Sequence, residues 1–291
     1  CGIKRDVILC SISALGQSGP LAAKPGYDYI AQAYSGVTSM IGDPDDAPMI
    51  PLIGVGDVMT GVHGAFAVAA ALLYRQRTGA GKHIDIGLVD AYYHCHEVNV
   101  HQYSASGGAI NPKRGGRHVS YVCPAGVYRA NGGNIMLMGF LHHWPDVCRA
   151  MSRPDLIEHE KFKDDTSRLA NRPELIDIVE SWLQTFPDVT SAIARLEAHH
   201  VPCAPILSVA ETTTHPHLLA RGTVRTIQDP IAGEFQIPGM PIKFIGVEAN
   251  QGFVAPTLGQ HNGSVLREVL NKSSAEISRL EASGVLYARE V

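Results

Sequence analysis

The segment from Pro51 to Arg77 constrains the fold more strongly than any other part of this chain of 291 residues. It opens with a short apolar run that ends in two closely spaced glycines, Gly54 and Gly56, and Asp57 follows at once. The residues after Asp57 are rich in glycine and alanine, which predicts a narrow-faced helix that packs close to its neighbours. Glycines before a helix also permit a sharp turn and the close approach of a ligand to the backbone.

Asp57 falls at or just before the first turn of that predicted helix. Free backbone N–H groups and the helix dipole favour negative charge there, so we expect the carboxylate to stay ionised. An ionised carboxylate can act as a nucleophile and divide an acyl transfer into two steps. The alternative is an ordinary N-cap, a role that aspartate often fills. The window alone favours the N-cap, so a chemical role needs support from the rest of the chain.

The composition is that of an ordinary globular protein, with 45% hydrophobic and 18% charged residues and a net charge of −4. This charge argues against a general nucleic-acid binder, and the longest apolar stretch, Ala65 to Tyr74, is too short to span a bilayer. The six cysteines are scattered without a CxxC pair, which fits a reducing cytosol. We therefore expect a cytoplasmic protein without nucleic-acid or membrane partners.

The first hundred residues predict an open α/β arrangement. Residues 6–13 form a nearly continuous apolar run, typical of a buried parallel strand. Residues 27–40 predict an amphipathic helix, and residues 83–89 alternate like a second strand. Asp90 is the expected cap of the helix that follows. Strands and helices in this order predict a Rossmann-like parallel sheet.

The rest of the chain predicts a smaller α+β domain. Residues 127–138 alternate around Asn131-Gly132, which predicts a β-hairpin with a tight turn. Further predicted elements are helices near His143 and at 172–186, 189–199, 263–271 and 274–283, and strands at 202–209, 223–227 and 233–237. The predicted domains are a large α/β domain at 1–105, a linker at 106–119, a small domain at 120–222, and at 223–291 a return linker with the end of the large domain.

Several familiar site motifs are absent from the sequence. A dinucleotide-binding GxGxxG motif would need a glycine at Met59, and Gly79-Ala-Gly81-Lys82 lacks the spacing of a phosphate-binding loop. No GxSxG nucleophile elbow occurs. His94, Glu97 and His101 have spacings that metal ligands sometimes use, but no second cluster accompanies them, and we predict no metal. Lys24 stands at a helix start, where it can bind phosphate or simply be solvated.

Six motifs occur in an order that is shared with a known family. They are Cys10–Pro20, Gly26–Gly36, Gly56–Gly61, Thr78–Ala91, Val201–Pro205 and Gly259–His261. In these residues and their spacing the chain resembles the class III CoA-transferases of the formyl-CoA transferase type, together with the related carnitine and bile-acid CoA-transferases. The resemblance extends over essentially the whole chain.

The resemblance implies that Asp57 is the catalytic carboxylate, which forms a mixed anhydride with the acyl group and then an aspartyl-CoA thioester. An acyl-CoA and a carboxylic acid are the implied partners, and no cofactor is expected beyond these coenzyme A thioester substrates. The implied binding residues are Lys24 near the CoA phosphates, Tyr27, Asp28 and Gly56 around the pocket, Leu88 beside the thiol end, and Gly115 and Gly116 in a short version of the glycine-rich loop that shields the intermediate.

Two alternatives stay open. The family includes acyl-CoA racemases, whose histidine stands where this chain has Tyr27. A neutral tyrosine has a reference pKa of about 10 and is a poor base near pH 7, which favours transfer over racemisation. The second alternative is a non-catalytic acyl-CoA-binding module.

Family members form interlocked homodimers and carry a segment before the first strand, so we expect a homodimer and an N-terminally incomplete chain.

Overall fold

The computed structural model describes residues 4–247 and 255–288. The chain divides into two compact units, Cys1–Ile206 and Leu207–Val291. Both units mix helices and strands, which confirms the α/β character expected from the sequence. The finer division into a large domain, a linker, a small domain and a return linker stays a prediction.

The first part of unit 1 contains a parallel strand pair. Strand β1 (Leu9–Ser13) pairs with β2 (His83–Gly87), with Leu9 opposite His83 and Ser13 opposite Gly87. The parallel pairing agrees with the expected α/β order. The predicted burial of β1 is wrong, because Leu9 and Ile12 are each 49% exposed. A parallel strand is buried where helices cover both faces of its sheet, and the exposure of these two side chains shows that this cover is incomplete in the described residues.

Four helices accompany this strand pair. They are α1 (Asp28–Ser35), α2 (Val55–Thr78), α3 (Leu88–His94) and α4 (Asn99–Ala105). The helix predicted at 27–40 breaks at Gly36, whose left-handed φ of 85° ends α1 before a short 3₁₀ segment at Val37–Met40. The expectation that Asp90 caps α3 is also wrong, because the N-cap is Gly87 and Asp90 lies inside the first turn.

Helix α2 contacts α1, α3 and both strands of the sheet. It ends at Gly79, whose φ of 69° allows its N–H to bond to the carbonyl of Arg75, as expected of a C-cap glycine. Its 24 residues have a mean hydropathy of 1.4 in the most apolar window and are long and apolar enough to cross a membrane. The expectation that no segment could span a bilayer considered only the stretch Ala65 to Tyr74, which is shorter than this helix. Core helices of soluble proteins pass the same length test.

The second part of unit 1 is built around a three-stranded antiparallel sheet. Strands β3 (Ala125–Ala130) and β4 (Gly133–Met138) form the predicted hairpin, with Gly132 at a φ of 79° in the turn, and β5 (Cys203–Pro205) pairs with β4. Helices α5 (Trp144–Ala150), α6 (Asp165–Ala170), α7 (Arg172–Leu183) and α8 (Val189–Glu197) accompany the sheet. The main core includes Tyr128, Ile135, Leu137, Val147, Leu175, Val179 and Leu196.

Unit 2 contains one antiparallel hairpin and four helices within its described residues. Strands β6 (Val224–Asp229) and β7 (Gly233–Pro238) lie where the sequence predicts two strands, and they pair antiparallel. The helices are α9 (Val209–Thr214), α10 (Pro216–Ala220), α11 (Asn262–Glu268) and α12 (Ser274–Ala282). Serine and glutamate form capping boxes at the starts of α9 and α12, which fixes where both helices begin.

His118 gives the protein an expected sensitivity to acid. Its ring packs edge-on against Tyr128, with 4.7 Å between ring centroids, and neither ring nitrogen has a hydrogen-bond partner. Burial, followed by the positive charges of Arg117 and Arg172, lowers the pKa of His118 to about 4. The unfolded chain protonates this residue near pH 6.5. The contribution of neutral His118 to the free energy of unfolding is therefore fully present above pH 6.5, and it is lost as the pH falls toward 4.

We expect this loss to reach at most about 3 kcal/mol. The measurement is urea unfolding between pH 7 and 4 for the wild type, His118→Gln and the exposed-site control His217→Gln. His118→Gln should show a shallower decline of the free energy of unfolding with falling pH than the other two proteins. The same decline in all three proteins would contradict this account of His118.

Candidate active site

Asp57 lies in the first turn of α2, with an exposed side chain. The N-cap of α2 is Gly54, so the interpretation of Asp57 as an ordinary N-cap is wrong. Within the described residues, the Asp57 carboxylate makes no hydrogen bond or ion pair. An exposed carboxylate at this end of a helix lies close to free N–H groups and to the positive end of the helix dipole.

Gly54 has no side chain to cap the start of α2, and Asp28 takes over this role. The backbone N–H of Asp57 donates a hydrogen bond of 2.9 Å to Oδ2 of Asp28. Asp28 belongs to the first turn of α1 and is only 8% exposed. A carboxylate from one helix therefore satisfies an N–H group at the start of another helix, which fixes the backbone that carries Asp57.

Gly56 allows an aromatic ring to pack against this same turn. A Cβ atom added at Gly56 would lie 2.3 Å from Cε2 of Tyr92, a separation that real Cβ atoms do not reach. Tyr92 is 1% exposed, and its hydroxyl donates a hydrogen bond to Oδ1 of Asp28. The sequence predicts that Gly54 and Gly56 let a ligand approach the backbone, but the space at Gly56 is taken by the ring of Tyr92.

The two carboxylates of Asp28 and Asp57 both lie beside Gly54. A Cβ added at Gly54 would be 3.5 Å from Oδ2 of Asp57 and 3.7 Å from Oδ2 of Asp28. One carboxylate is exposed and the other is buried and hydrogen-bonded. The two carboxylates therefore differ in access, since only the exposed carboxylate of Asp57 can be reached from solvent.

Tyr27 and Lys24 lie just before α1. Tyr27 is the N-cap residue of α1 and is 85% exposed, next to Asp28 in the chain. The Lys24 Nζ atom donates a hydrogen bond of 2.5 Å to the hydroxyl of Tyr34 and lies 5.0 Å from the centroid of its ring. Lys24 is therefore held along α1, with its charge exposed at the surface. Its binding to a CoA phosphate stays a prediction.

Leu88, Gly115 and Gly116 lie in two other parts of unit 1. Leu88 is 6% exposed and packs in a small cluster with Ala31 and Tyr92, against which Val55 packs. Gly115 and Gly116 line a cavity of about 470 Å³, and the N–H of Gly116 donates to the carbonyl of Gly42. Asp57 is not among the residues that line this cavity. The structure thus brings Asp28 and Gly56 to Asp57, whereas these three residues are placed elsewhere.

His94, Glu97 and His101 do not lie on one continuous helix, as a metal site with their spacing would require. Helix α3 ends at His94 and α4 begins at Asn99, and Glu97 has a φ of 45° between them. Glu97 and His101 therefore do not share one helix face. In residues 4–247 and 255–288, no group of three or more histidine, cysteine, aspartate or glutamate side chains is arranged to hold a metal ion.

Sequence reasoning missed Gln32 and Tyr92, which are each 1% exposed. The Nε2 atom of Gln32 donates a hydrogen bond of 3.1 Å to the hydroxyl of Tyr92. A signal was present in α1, where the polar Gln32 stands next to Ala31 on the buried face. A buried amide needs partners, but the sequence does not indicate that α3 supplies them.

Comparison with known proteins identifies the family of this chain. The model of CoA-transferase family III matches residues 2–262. The chain belongs to this family. The resemblance inferred from the six sequence motifs is thereby confirmed.

Similar proteins include the succinyl-CoA:glutarate CoA-transferase of Mus musculus, 30% identical over 99% of this chain and 66% of that protein. The succinyl-CoA:mesaconate CoA-transferase of Haloarcula hispanica is 34% identical over 90% of this chain and 66% of its own length. A CAIB/BAIF family protein from Brucella suis has a similar structure, with a TM-score of 0.79 and 28% identity over 92% of this chain and 69% of that chain. The chain thus spans 66% of the length of both curated relatives.

Proposed function

We propose that the protein transfers CoA from an acyl-CoA donor to a carboxylic acid, with Asp57 as the covalent carrier. The observation that supports this most directly is the exposed Asp57 carboxylate on a helix turn whose backbone is held by the buried Asp28. The family membership supports the same chemistry. A fixed turn with an accessible carboxylate favours attack on an acyl carbon in a single orientation.

The proposed reaction has four balanced steps. The Asp57 carboxylate attacks the thioester carbonyl carbon, the C–S bond breaks, CoA leaves as a thiolate, and a mixed anhydride remains on Asp57. The thiolate attacks the Asp57 carbonyl carbon and releases the donor acid, which leaves an aspartyl-CoA thioester. The acceptor carboxylate attacks that thioester and expels CoA again, forming a second anhydride. CoA then attacks the acceptor acyl carbon, which produces the new acyl-CoA and restores the Asp57 carboxylate.

Succinyl-CoA is the proposed donor, and short dicarboxylic acids are the proposed acceptors. Two relatives that this chain resembles carry succinyl-CoA in their names, together with glutarate or mesaconate. The proposed site also includes Lys24 and Tyr27, at the exposed start of α1, and the loop of Gly115 and Gly116.

We further propose that the protein works as a cytoplasmic homodimer, without a metal or redox cofactor. The outer face of α2 supports a partner chain, because Val58, Val62 and Phe66 are 68%, 61% and 75% exposed. Large apolar side chains clustered on one exposed helix face favour burial against another protein surface.

The proposed activity is tested by incubating the complete protein with succinyl-CoA and a panel of dicarboxylic acids in deuterated water. Mass spectrometry then identifies the CoA esters formed. We expect a new acyl-CoA ester without deuterium at the α-carbon. Deuterium exchange at the α-carbon without transfer would instead indicate a racemase, in spite of Tyr27. Binding without either product would indicate a non-catalytic acyl-CoA-binding module.

A further inference from the structure

A chain of buried and partly buried hydrogen bonds leads from the 3₁₀ segment after α1 to the backbone of Asp57. Oγ1 of Thr38 donates to Oε1 of Gln32 at 3.0 Å, and Nε2 of Gln32 donates to the hydroxyl of Tyr92 at 3.1 Å. That hydroxyl donates to Oδ1 of Asp28, and Oδ2 of Asp28 accepts the N–H of Asp57. Every link joins groups on different turns or different helices, so the chain connects α1 and α3 to the start of α2.

The direction of these bonds is set by chemistry. An amide N–H of Gln32 can only donate, so the Tyr92 oxygen accepts this bond and its proton points to Asp28. Burial and the neighbouring Asp28 raise the pKa of Tyr92, which keeps the hydroxyl protonated. Both oxygens of the Asp28 carboxylate therefore accept a hydrogen bond, one from a side chain and one from a backbone.

We propose that Tyr92 is a positioning residue, whose hydroxyl orients the Asp28 carboxylate so that it holds the Asp57 amide and keeps the nucleophile in place. This inference rests on the proposed function, because it concerns the same carboxylate. Tyr92 acts through Asp28 and does not touch the substrate. Its ring serves the same end, since it fills the space above Gly56 on the turn that carries Asp57.

The experiment compares Tyr92→Phe with Tyr93→Phe. Both variants lose one hydroxyl and keep the ring, but Tyr93 is 53% exposed and lies outside the hydrogen-bond chain. Two quantities are measured in the complete protein. The first is the single-turnover rate of Asp57 acylation over a range of succinyl-CoA concentrations, which separates the maximal rate from the half-saturating concentration. The second is the amide hydrogen exchange of the peptide that covers residues 54–60, which does not depend on turnover.

We expect Tyr92→Phe to lower the acylation rate about 10–100-fold, the effect of one hydrogen bond to a charged group. The half-saturating concentration of succinyl-CoA should stay within about 2-fold of the wild-type value, because Tyr92 does not touch the substrate. The exchange of the 54–60 peptide should rise about 10-fold. Tyr93→Phe should match the wild type in all three respects. A Tyr92→Phe protein with the wild-type maximal rate and wild-type exchange would overturn the proposal.

A second variant covers the case in which Tyr92→Phe does not fold. Thr38→Val keeps the side-chain shape and removes only the outermost hydrogen bond of the chain. We expect a smaller change in the same direction, about 3-fold in rate and exchange, and wild-type values would count against the proposal. If the wild-type protein forms no acyl-Asp57, the proposed function fails, while the exchange measurement still decides whether Tyr92 orders the turn.

Discussion

Replacement of Asp57 by asparagine should lower the rate of CoA transfer at least about 10³-fold and leave the fold intact. The amide is neutral and cannot form the anhydride, so the covalent route is closed. The structural cost should be small, because the Asp57 side chain is exposed and makes no hydrogen bond or ion pair within the described residues. The measurement is the rate of acyl-CoA formation, with circular dichroism and thermal unfolding as checks on the fold.

Asp45→Asn is the matched control for this variant. Asp45 is exposed in the turn between α1 and α2, so the control removes one carboxylate from the same unit. We expect its transfer rate to stay within about 2-fold of the wild type, as is usual for exposed surface positions. An Asp57→Asn protein that is folded and keeps more than a tenth of the wild-type rate would contradict the role of Asp57.

Replacement of Gly56 by alanine should damage both stability and activity. The added methyl group would lie 2.3 Å from the ring of Tyr92, so the ring or the α2 turn must move. Overpacking of this kind costs about 1–3 kcal/mol of unfolding free energy. A displaced Tyr92 also releases Asp28, and we expect the transfer rate to fall at least about 10-fold. Urea unfolding and the transfer assay measure the two effects separately.

Gly61→Ala is a sharp control, because Gly61 lies in the same helix one turn beyond Asp57. A Cβ at Gly61 would meet no atom within 4 Å. Alanine has a higher helix propensity than glycine, so we expect this variant to be as stable as the wild type or up to about 1 kcal/mol more stable. Equal effects of the two substitutions would mean that the contact between Gly56 and Tyr92 has no special role.

Local patterns in the sequence were sufficient for most elements of the fold. The alternation at 127–138 and the turn at Asn131-Gly132 predicted the hairpin, because strand period and turn chemistry both reside in adjacent residues. The small-residue segment after Gly54 predicted α2 for the same reason. The break of the first helix at Gly36 was missed, since a glycine in a helical pattern is either tolerated or used as a C-cap.

The candidate site was predictable only in part. Asp57 and Gly56 stand out because they are adjacent in a pattern with a recognisable chemistry. The hydrogen bond between Asp57 and Asp28 joins residues 29 positions apart, and Tyr92 lies 64 positions from Asp28. Such pairs depend on how α1, α2 and α3 pack, which no local pattern encodes. The same packing explains why Leu88, expected beside the thiol of CoA, lies in a core cluster.

The most direct test of the proposed covalent mechanism is to trap the intermediate at Asp57. The complete protein is incubated with succinyl-CoA and other acyl-CoA donors, quenched with borohydride, and digested for mass spectrometry. Borohydride reduces an activated acyl-aspartate to the alcohol, so we expect Asp57 to be converted to homoserine in the peptide that contains Gly56. An unmodified Asp57 under conditions where acyl-CoA binding is demonstrated would contradict the covalent mechanism.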